Sequence, residues 1–254
     1  MKIFIASGWF CGGKTKFYEA SRRRWLSDIQ KTFGIGVEVC IVNNASPVDY
    51  PLHLIKEVDL HVEFTSINQN AGHAQNLRNG NSICGWHASV LLSLTKFLLS
   101  DADLYVYIEQ DVVLENLTEE DFYTKELILG RSLTLTQPIQ QSIFAVNKTY
   151  ARKFLSRLLE LKADDYTLSC ERKFAIAGST FYRFIPSFLF HPLHKCDSLP
   201  CRLFNILQSL VLRLLFDKEI LDIPGGRDRK YLGERFYLQQ LTNKEMHRYY
   251  HEYL

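Results

Sequence analysis

Short apolar runs alternate with helical patterns over the first half of the chain. The runs at 2–6 (KIFIA) and 37–42 (VEVCIV) are rich in β-branched or aromatic residues and predict strands. Between them, residues 17–33 repeat apolar side chains at helical spacing. This strand-helix-strand order predicts a parallel sheet with helices packed against it.

The same alternation continues into the middle of the chain. Residues 60–67 predict a third strand, a polar Asn-rich loop follows over 68–82, and residues 85–100 predict a helix. The next segment, DADLYVYIEQDVVL at 101–114, contains a nearly continuous apolar run. Such a run is typical of a strand at the buried centre of a sheet.

The second half of the pattern is less regular. Residues 133–138 predict a strand entering a turn, 148–161 a helix, 173–192 strands, and 201–216 an amphipathic helix. No internal repeat or low-complexity segment is visible. At 254 residues the chain is predicted to form a single α/β domain.

Composition and charge exclude several classes of protein. The residues are 46% hydrophobic and 23% charged, and the formal net charge is only +2. A nucleic-acid-binding protein usually concentrates far more Lys and Arg on one face, so no nucleic-acid partner is expected. The run Arg22 to Arg24 is expected to be a solvated helix face.

The cysteines and the apolar segments bear on location. The six cysteines are scattered without a C-x-x-C pair, which predicts reduced thiols in a cytoplasmic protein. The alternative is that Cys196 and Cys201 bridge a short loop in an oxidising compartment. The first ten residues do not resemble a secretory signal, and no apolar segment approaches the roughly 20 residues of a membrane span.

One motif suggests a nucleotide triphosphate site. Residues 8–15, GWFCGGKT, match the P-loop pattern G-x-x-x-x-G-K-[ST] and follow a predicted strand. In a P-loop kinase or NTPase, Lys14 would contact the phosphates, Thr15 would bind magnesium and Asp111 could hold the metal. Against this, the apolar stripe of the next helix begins only at Phe17.

A second motif suggests a metal-assisted site. Glu109 and Asp111 follow the most apolar strand, and alternate side chains of an extended backbone face the same way. The carboxyl end of a central parallel strand is where α/β sheets bind ligands. Paired carboxylates there predict Mn²⁺ or Mg²⁺ assisting the departure of a diphosphate. The alternative is an acidic pair that only solvates the loop.

Several segments together resemble a known family. SGW, VNNAS, CGWHASVLLSL, DADLYVYIEQDVVL, IPGGRDRKY and FYLQQLT resemble bacterial and large-virus glycosyltransferases of the GT-A type, which carry an EQD form of the DxD motif. The resemblance covers residues 1–135 and 223–242. It implies one GT-A-like, Rossmann-like domain with a mixed, mostly parallel sheet flanked by helices. Residues 1–135 would bind the nucleotide sugar, and 136–254 would form the acceptor side with C-terminal helices.

The resemblance implies an activity and a metal. The enzyme would transfer a hexosyl or related sugar from a nucleotide-diphosphate sugar to a glycan or lipid-linked glycan in polysaccharide biosynthesis. Asp111 would bind Mn²⁺ or Mg²⁺, Glu109 would act on the metal or the ribose, and His191 or His194 would add a ligand. Glu109 stands where the usual DxD motif has its first Asp.

Further roles follow from the same resemblance. The residues expected at the donor are Ser7, Gly8, Trp9, Asn43, Asn44, Arg78, Trp86, Glu109, Arg227 and Arg229. Each has an alternative: Asn43 and Asn44 form a turn, Trp86 packs in the core, and Arg78 lies in a solvated loop. An inverting transferase also needs a carboxylate base, for which Asp164, Asp165, Glu171 and Asp228 are candidates. The sequence leaves inversion or retention open.

Two further alternatives concern the chain as a whole. It could be a nucleotide-sugar-binding or glycan-binding module without turnover. The predicted helix at 201–216 could rest on a membrane surface that carries the acceptor, which would make the protein peripheral. Alternatively, that helix belongs to the core of the second half.

Overall fold

The computed structural model describes residues 1–11, 15–46, 52–56, 58–68, 84–132, 134–161, 170–186, 198–226 and 233–254. Ten strands occur in these ranges: β1 Ile3–Trp9, β2 Glu38–Asn44, β3 His61–Ile67, β4 Leu104–Ile108, β5 Val113–Glu115, β6 Leu127–Gly130, β7 Gln140–Asn147, β8 Glu219–Leu221, β9 Gly225–Gly226 and β10 Phe236–Leu238. The helices are α1 Thr15–Phe33, α2 Leu52–Ile55, α3 Gly85–Leu99, α4 Lys148–Glu160, α5 Cys170–Gly178, α6 Leu199–Leu215 and α7 Asn243–Tyr250. Short 3-10 helices cover 119–122, 182–184 and 251–253.

Seven strands form the main sheet, in the order β3-β2-β1-β4-β7-β6-β8. The first four strands are mutually parallel, and β6 pairs with β8 in parallel. Only β7 runs against its neighbours β4 and β6. The predicted mixed, mostly parallel α/β sheet is therefore confirmed, including the opening strand-helix-strand unit.

A smaller sheet extends the fold beyond the end of β4. Its order is β5-β10-β9, with β10 antiparallel to β5 and parallel to β9. Because β5 follows β4 after a short turn, the small sheet brings the C-terminal part of the chain to the carboxyl edge of the main sheet.

Two apolar cores lie on opposite faces of the main sheet. One core joins α1 to alternate residues of β1, β2 and β4, and includes Trp9, Trp25 and Ile108. The other core joins α3, α4 and α5 to the intervening residues, and includes Tyr107 and Phe174. Alternation of side chains along each strand accounts for this division.

Some predicted elements differ from the structure. Residues 173–178, predicted as a strand, belong to helix α5, and residues 134–136, predicted as part of a strand, form a bend and turn. Every residue of α5 from Arg172 to Gly178 is buried. An element buried on all sides shows no amphipathic period, so its apolar run cannot be assigned from the sequence.

The arginine run and one cysteine also differ from expectation. Arg22 is 2% exposed, and Arg24 pairs with the carboxylates of Asp28 and Glu115, so the run is not a solvated face. Cys201 is disulfide-bonded, which contradicts the expectation of six reduced thiols. Among the described residues, Cys11, Cys40, Cys84 and Cys170 have free thiols.

Candidate functional site

The topology of the main sheet creates a crevice at one edge. From β1 the chain proceeds outward to β2 and β3, and then returns to place β4 on the other side of β1. β1 and β4 are parallel, so their carboxyl ends meet where the strand order reverses. Open α/β sheets bind ligands at this switch point.

The end of β1 packs tightly against its neighbours. The backbone N–H of Gly8 donates to the hydroxyl of Tyr107 (3.1 Å). A Cβ at Gly8 would lie 2.4 Å from Oγ of Ser89, so a glycine is required for α3 to approach β1 this closely. The side chains of Ser7 and Trp9 are fully buried. Ser7 and Trp9, which were predicted to contact the sugar donor, are therefore interior residues of this strand.

Arg22 joins the carboxyl ends of β1 and β4. Its Nη2 donates to the carbonyl of Phe10 (3.0 Å), and its Nη1 donates to the carbonyl of Gln110 (3.3 Å). Its guanidinium also lies over the ring of Trp9, 5.5 Å from the centroid. The N–H of Phe10 donates to Oε1 of Gln110 (2.7 Å). Sequence reasoning missed Arg22, although its place three residues before buried Trp25 is a signal that it shares the buried stripe.

The two candidate carboxylates occupy a turn. β4 ends at Ile108, and the N–H of Val112 donates to the carbonyl of Glu109 (3.1 Å), which closes a turn over residues 109–112. Glu109 and Asp111 therefore do not alternate along an extended strand, and the reasoning that aimed them at one point is wrong. Both side chains remain partly exposed at the switch point.

A chain of side-chain amides holds Glu109. Nε2 of Gln239 donates to Oε2 of Glu109, and Oε1 of Gln239 accepts from Nε2 of Gln140 (2.8 Å). Both glutamines are buried. This chain connects the turn after β4 to β7 and to the residue after β10. The sequence offered only the segment FYLQQLT as a hint of Gln239, and its partner is 130 residues away.

The charges of the two carboxylates act on three buried tyrosines. Burial raises the pKa of Tyr237, and the nearby charge of Glu109 raises it further. Burial and then Glu109 likewise raise the pKa of Tyr107. Burial and then the charge of Asp111 raise the pKa of Tyr250. The tyrosines therefore remain neutral hydroxyls beside the acidic turn.

The end of β2 is occupied by local structure. Oδ1 of Asn43 accepts from Oγ of Ser46 (2.6 Å), and its Nδ2 donates to Oγ of Ser66 (3.3 Å). The side chain of Asn44 fills the place where a Cβ of Gly85 would lie, with Nδ2 1.5 Å from that position. The turn interpretation of Asn43 therefore agrees with these contacts, and Asn44 positions the start of α3.

Two helices begin close to each other on the α3 side of the crevice. Cys84 caps α3 by accepting the N–H of His87 (3.5 Å), and its Sγ lies 3.6 Å from Sγ of Cys170, the first residue of α5. The hydrogen bond from Cys170 is the largest cause that lowers the pKa of Cys84, and Lys173 contributes. Burial, and then Lys173, lower the pKa of His87 to about 3, so its ring is neutral.

Of the remaining predicted residues, Trp86 and Glu171 lie within the described ranges and the others lie outside them. Trp86 packs against Phe174 (ring centroids 4.8 Å apart) and edge-on against Tyr107, in agreement with the packing alternative. Glu171 accepts from Nε2 of Gln137 (2.8 Å). Outside the described residues lie Lys14, Arg78, Asp164, Asp165, His191, His194, Arg227, Asp228 and Arg229.

Within the described ranges, no group of three or more His, Cys, Asp or Glu side chains is arranged to hold a metal ion. Across the same ranges, no helix has the length and apolar character needed to cross a bilayer. No protein-family model matches the chain, and no curated protein matches it.

Proposed function

We propose that the protein is a GT-A-like glycosyltransferase that moves a sugar from a nucleotide-diphosphate donor to a glycan acceptor. One observation carries the proposal: two partly exposed carboxylates, Glu109 and Asp111, occupy the turn at the switch point between β1 and β4. A ligand bound at this edge would lie beside the turn that carries both acids. The resemblance of the EQD segment to that family supports the same assignment.

Carboxylate oxygens are the ligands that a hard divalent cation prefers. Mg²⁺ is usually bound through one or two carboxylates, and its other ligands are waters and substrate phosphates. Asp111 and Glu109 would hold Mn²⁺ or Mg²⁺, and the bound ion would neutralise charge on the departing nucleoside diphosphate. His191 remains a proposed additional ligand.

The protein's own contacts would keep the acidic turn in position. Gln239 donates to Glu109 and so fixes one carboxylate oxygen. Arg22 and Gln110 fasten the turn to the end of β1. Arg227 and Arg229 would contact the phosphate oxygens, because planar guanidinium groups suit such oxygens. The base of an inverting reaction would be Asp228, Asp165 or Glu171.

A P-loop enzyme is the second candidate, and one observation favours it. α1 begins at Thr15, two residues earlier than the apolar stripe predicted, as a P-loop requires. However, the N–H groups of Phe10 and Cys11 donate to the side chains of Gln110 and Ser46. These N–H groups are engaged by the protein itself, whereas a P-loop presents its backbone N–H groups to phosphates.

The acceptor is proposed to be a surface glycan or a lipid-linked glycan. A lipid-linked acceptor would place the enzyme at a membrane surface as a peripheral protein. A nucleotide-sugar-binding module without turnover would use the same acidic turn. Transfer to an acceptor, in addition to donor binding, separates the enzyme from that module.

The direct test is thermal stabilisation by a panel of nucleotides and nucleotide sugars, with and without Mn²⁺. A ligand at a hundred times its dissociation constant adds about 2.7 kcal/mol of stability. The informative variant is Asp111→Asn. Its matched control is Asp103→Asn, which alters an exposed carboxylate at the opposite end of the same strand.

The outcomes separate the candidates. Metal-dependent stabilisation by a nucleoside diphosphate or its sugar, lost in Asp111→Asn and kept in Asp103→Asn, is the expected result. Stabilisation only by ATP or GTP, abolished by Lys14→Ala, would instead identify a P-loop enzyme. Donor analogues that stabilise both carboxylate variants equally would remove the acidic turn from the proposal.

A further inference from the structure

A stripe of exposed leucines runs along helix α6. The stripe consists of Leu199, Leu203, Leu207, Leu210 and Leu214, whose exposed fractions are 69%, 57%, 58%, 39% and 84%. Successive members are three or four residues apart, so all five lie on one face of the helix. Together they expose about as much surface as three fully exposed leucines. Contiguous exposed apolar surface of this kind marks an interaction site.

The opposite face of α6 holds the helix on the protein. Its buried residues are Gln208, Ser209 and Leu212. Oγ of Ser209 donates to the carbonyl of Thr136 (2.6 Å), and Oε1 of Gln208 accepts from Nη1 of Arg172 (3.1 Å). The helix is thus fastened through these polar contacts and through Leu212, with Val211 and Leu215 partly buried beside it, while five of its seven leucines are exposed. Leu212 belongs to a buried apolar cluster with Ile176 and Ile185, so α6 contributes to the core of the second half while its leucine stripe faces outward.

A second apolar projection lies beside the C-terminal half of α6. Tyr182, in the 3-10 helix at 182–184, packs in the same cluster as Leu212 and Val211 of α6. Phe184, in this 3-10 helix, is 83% exposed. The leucine stripe and Phe184 therefore belong to neighbouring elements.

The charge of this region is cationic. α6 contains Arg202 and Arg213 and has no acidic residue. At 100° per residue, both arginines fall to the same side of the leucine stripe, at its border. Arg183, in the neighbouring 3-10 helix at 182–184, adds a third basic side chain.

We propose that the leucine stripe of α6 docks on an anionic lipid bilayer. An amphipathic helix lying in the headgroup region has an apolar face buried among the acyl chains and arginines at its border. Anionic lipids attract such basic residues, each by about a factor of five in partitioning. The inference rests on the proposed function only for the place where the enzyme meets its acceptor. Its test requires no sugar donor.

A second copy of the chain is the competing occupant. The spacing of Leu203, Leu207, Leu210 and Leu214 also suits a short coiled coil. A stable dimer, however, buries about 800 Å² on each partner, from about 20 to 30 residues. The stripe supplies five leucines, and a symmetric contact would also bring cationic regions together. Charge and area both favour the bilayer.

The test is sedimentation of the full chain with vesicles of phosphatidylcholine, with and without phosphatidylglycerol. The test variant is Leu203→Gln/Leu207→Gln/Leu214→Gln. Its matched control is Leu92→Gln/Leu99→Gln, which alters exposed leucines on α3. Circular dichroism and unfolding curves establish that each variant is folded.

We expect the wild type to bind the anionic vesicles and to bind them less at high salt. Relative to the wild type, binding should fall about tenfold or more in the triple variant and about fivefold in Arg202→Gln. The α3 control should bind like the wild type. Equal binding of the triple variant and the wild type, or no binding to either vesicle, would overturn the proposal. A dimer of the wild type that the triple variant dissociates, without vesicle binding, would assign the stripe to a second copy.

Discussion

At the scale of single residues, Asp28 combines burial with charge. Its carboxylate is 2% exposed, pairs with Nε of Arg24 (2.7 Å) and accepts the N–H of Leu114 (3.0 Å). Burial raises the pKa of Asp28 to about 6, although the guanidinium of Arg24 opposes the change. The native protein therefore holds this proton at a pH where the unfolded chain, with a pKa of about 3.9, has released it.

This shift predicts a pH dependence of stability. The stabilisation that the proton on Asp28 gives to the native state is complete below about pH 4. It is lost as pH rises through about 6, because the native state then releases this proton too. The loss attributable to this group is about 2 to 3 kcal/mol. In Asp28→Asn, whose amide oxygen still accepts from Leu114, we expect a smaller fall in the free energy of unfolding between about pH 4 and 7.

Urea unfolding of the wild type and Asp28→Asn across this pH range measures the difference. Glu120→Gln, at an exposed acid, is the control and should follow the wild type. Parallel pH curves for the wild type and Asp28→Asn would show that Asp28 titrates as in the unfolded chain.

At the scale of elements, regular periodicity was enough to predict β1, α1, β2, β3, α3, β4, α4 and α6. In these elements apolar and polar side chains alternate at the strand or helix period, or apolar residues form one long run in a central strand. The small sheet was missed because its strands have two or three residues each and its pairing joins distant parts of the chain. β7 was missed because its apolar run merges with the start of α4.

The contact between α3 and α5 predicts redox behaviour. Cys84 and Cys170 lie at the starts of these helices with sulfurs 3.6 Å apart. The lowered pKa of Cys84 favours its thiolate, which is the reactive form. With hydrogen peroxide as oxidant, we expect the two thiols to form a disulfide while the peroxide is reduced to two waters. This bond would link α3 to α5.

Peptide mass spectrometry after peroxide treatment identifies the linkage, and dithiothreitol should reverse it. Cys40 is the internal control, because burial raises its pKa to about 12 and keeps its thiol protonated. Cys170→Ser should abolish the linkage and leave Cys84 as a stable sulfenic or sulfinic acid. Oxidation of Cys40 at the same rate as Cys84 would show that the environment of Cys84 does not activate it.

At the scale of the whole molecule, the sequence could predict where the candidate site lies but not what supports it. Glu109 and Asp111 were placed at the carboxyl end of the central strand because an apolar run ends there. The contacts of Arg22 with Gln110 and of Gln239 with Glu109 could not be predicted, since each spans about 90 residues or more. Such pairs become visible only when the sheet order is known.

Arg22 is the residue through which α1 holds the two strand ends together. Its guanidinium satisfies the carbonyls of Phe10 and Gln110 and is 2% exposed. Arg22→Met keeps much of the stem but leaves both carbonyls without this donor, at about 1 to 3 kcal/mol for each buried unsatisfied group. We expect a loss of stability of at least about 2 kcal/mol.

The loss should be concentrated at the carboxyl edge of the sheet. Hydrogen exchange of the backbone N–H groups at Phe10 and Val112 should accelerate more than exchange within the centres of β1 and β4. The reason is that the hydrogen bonds of Arg22 to Phe10 and Gln110 act only at the strand ends. Arg22→Lys should recover part of the stability, since one ammonium cannot reproduce the two-armed contact. Arg152→Met, at an exposed position on α4, is the control and should change neither quantity. Uniform acceleration across the sheet in Arg22→Met would show that Arg22 contributes to global stability without fastening this edge in particular.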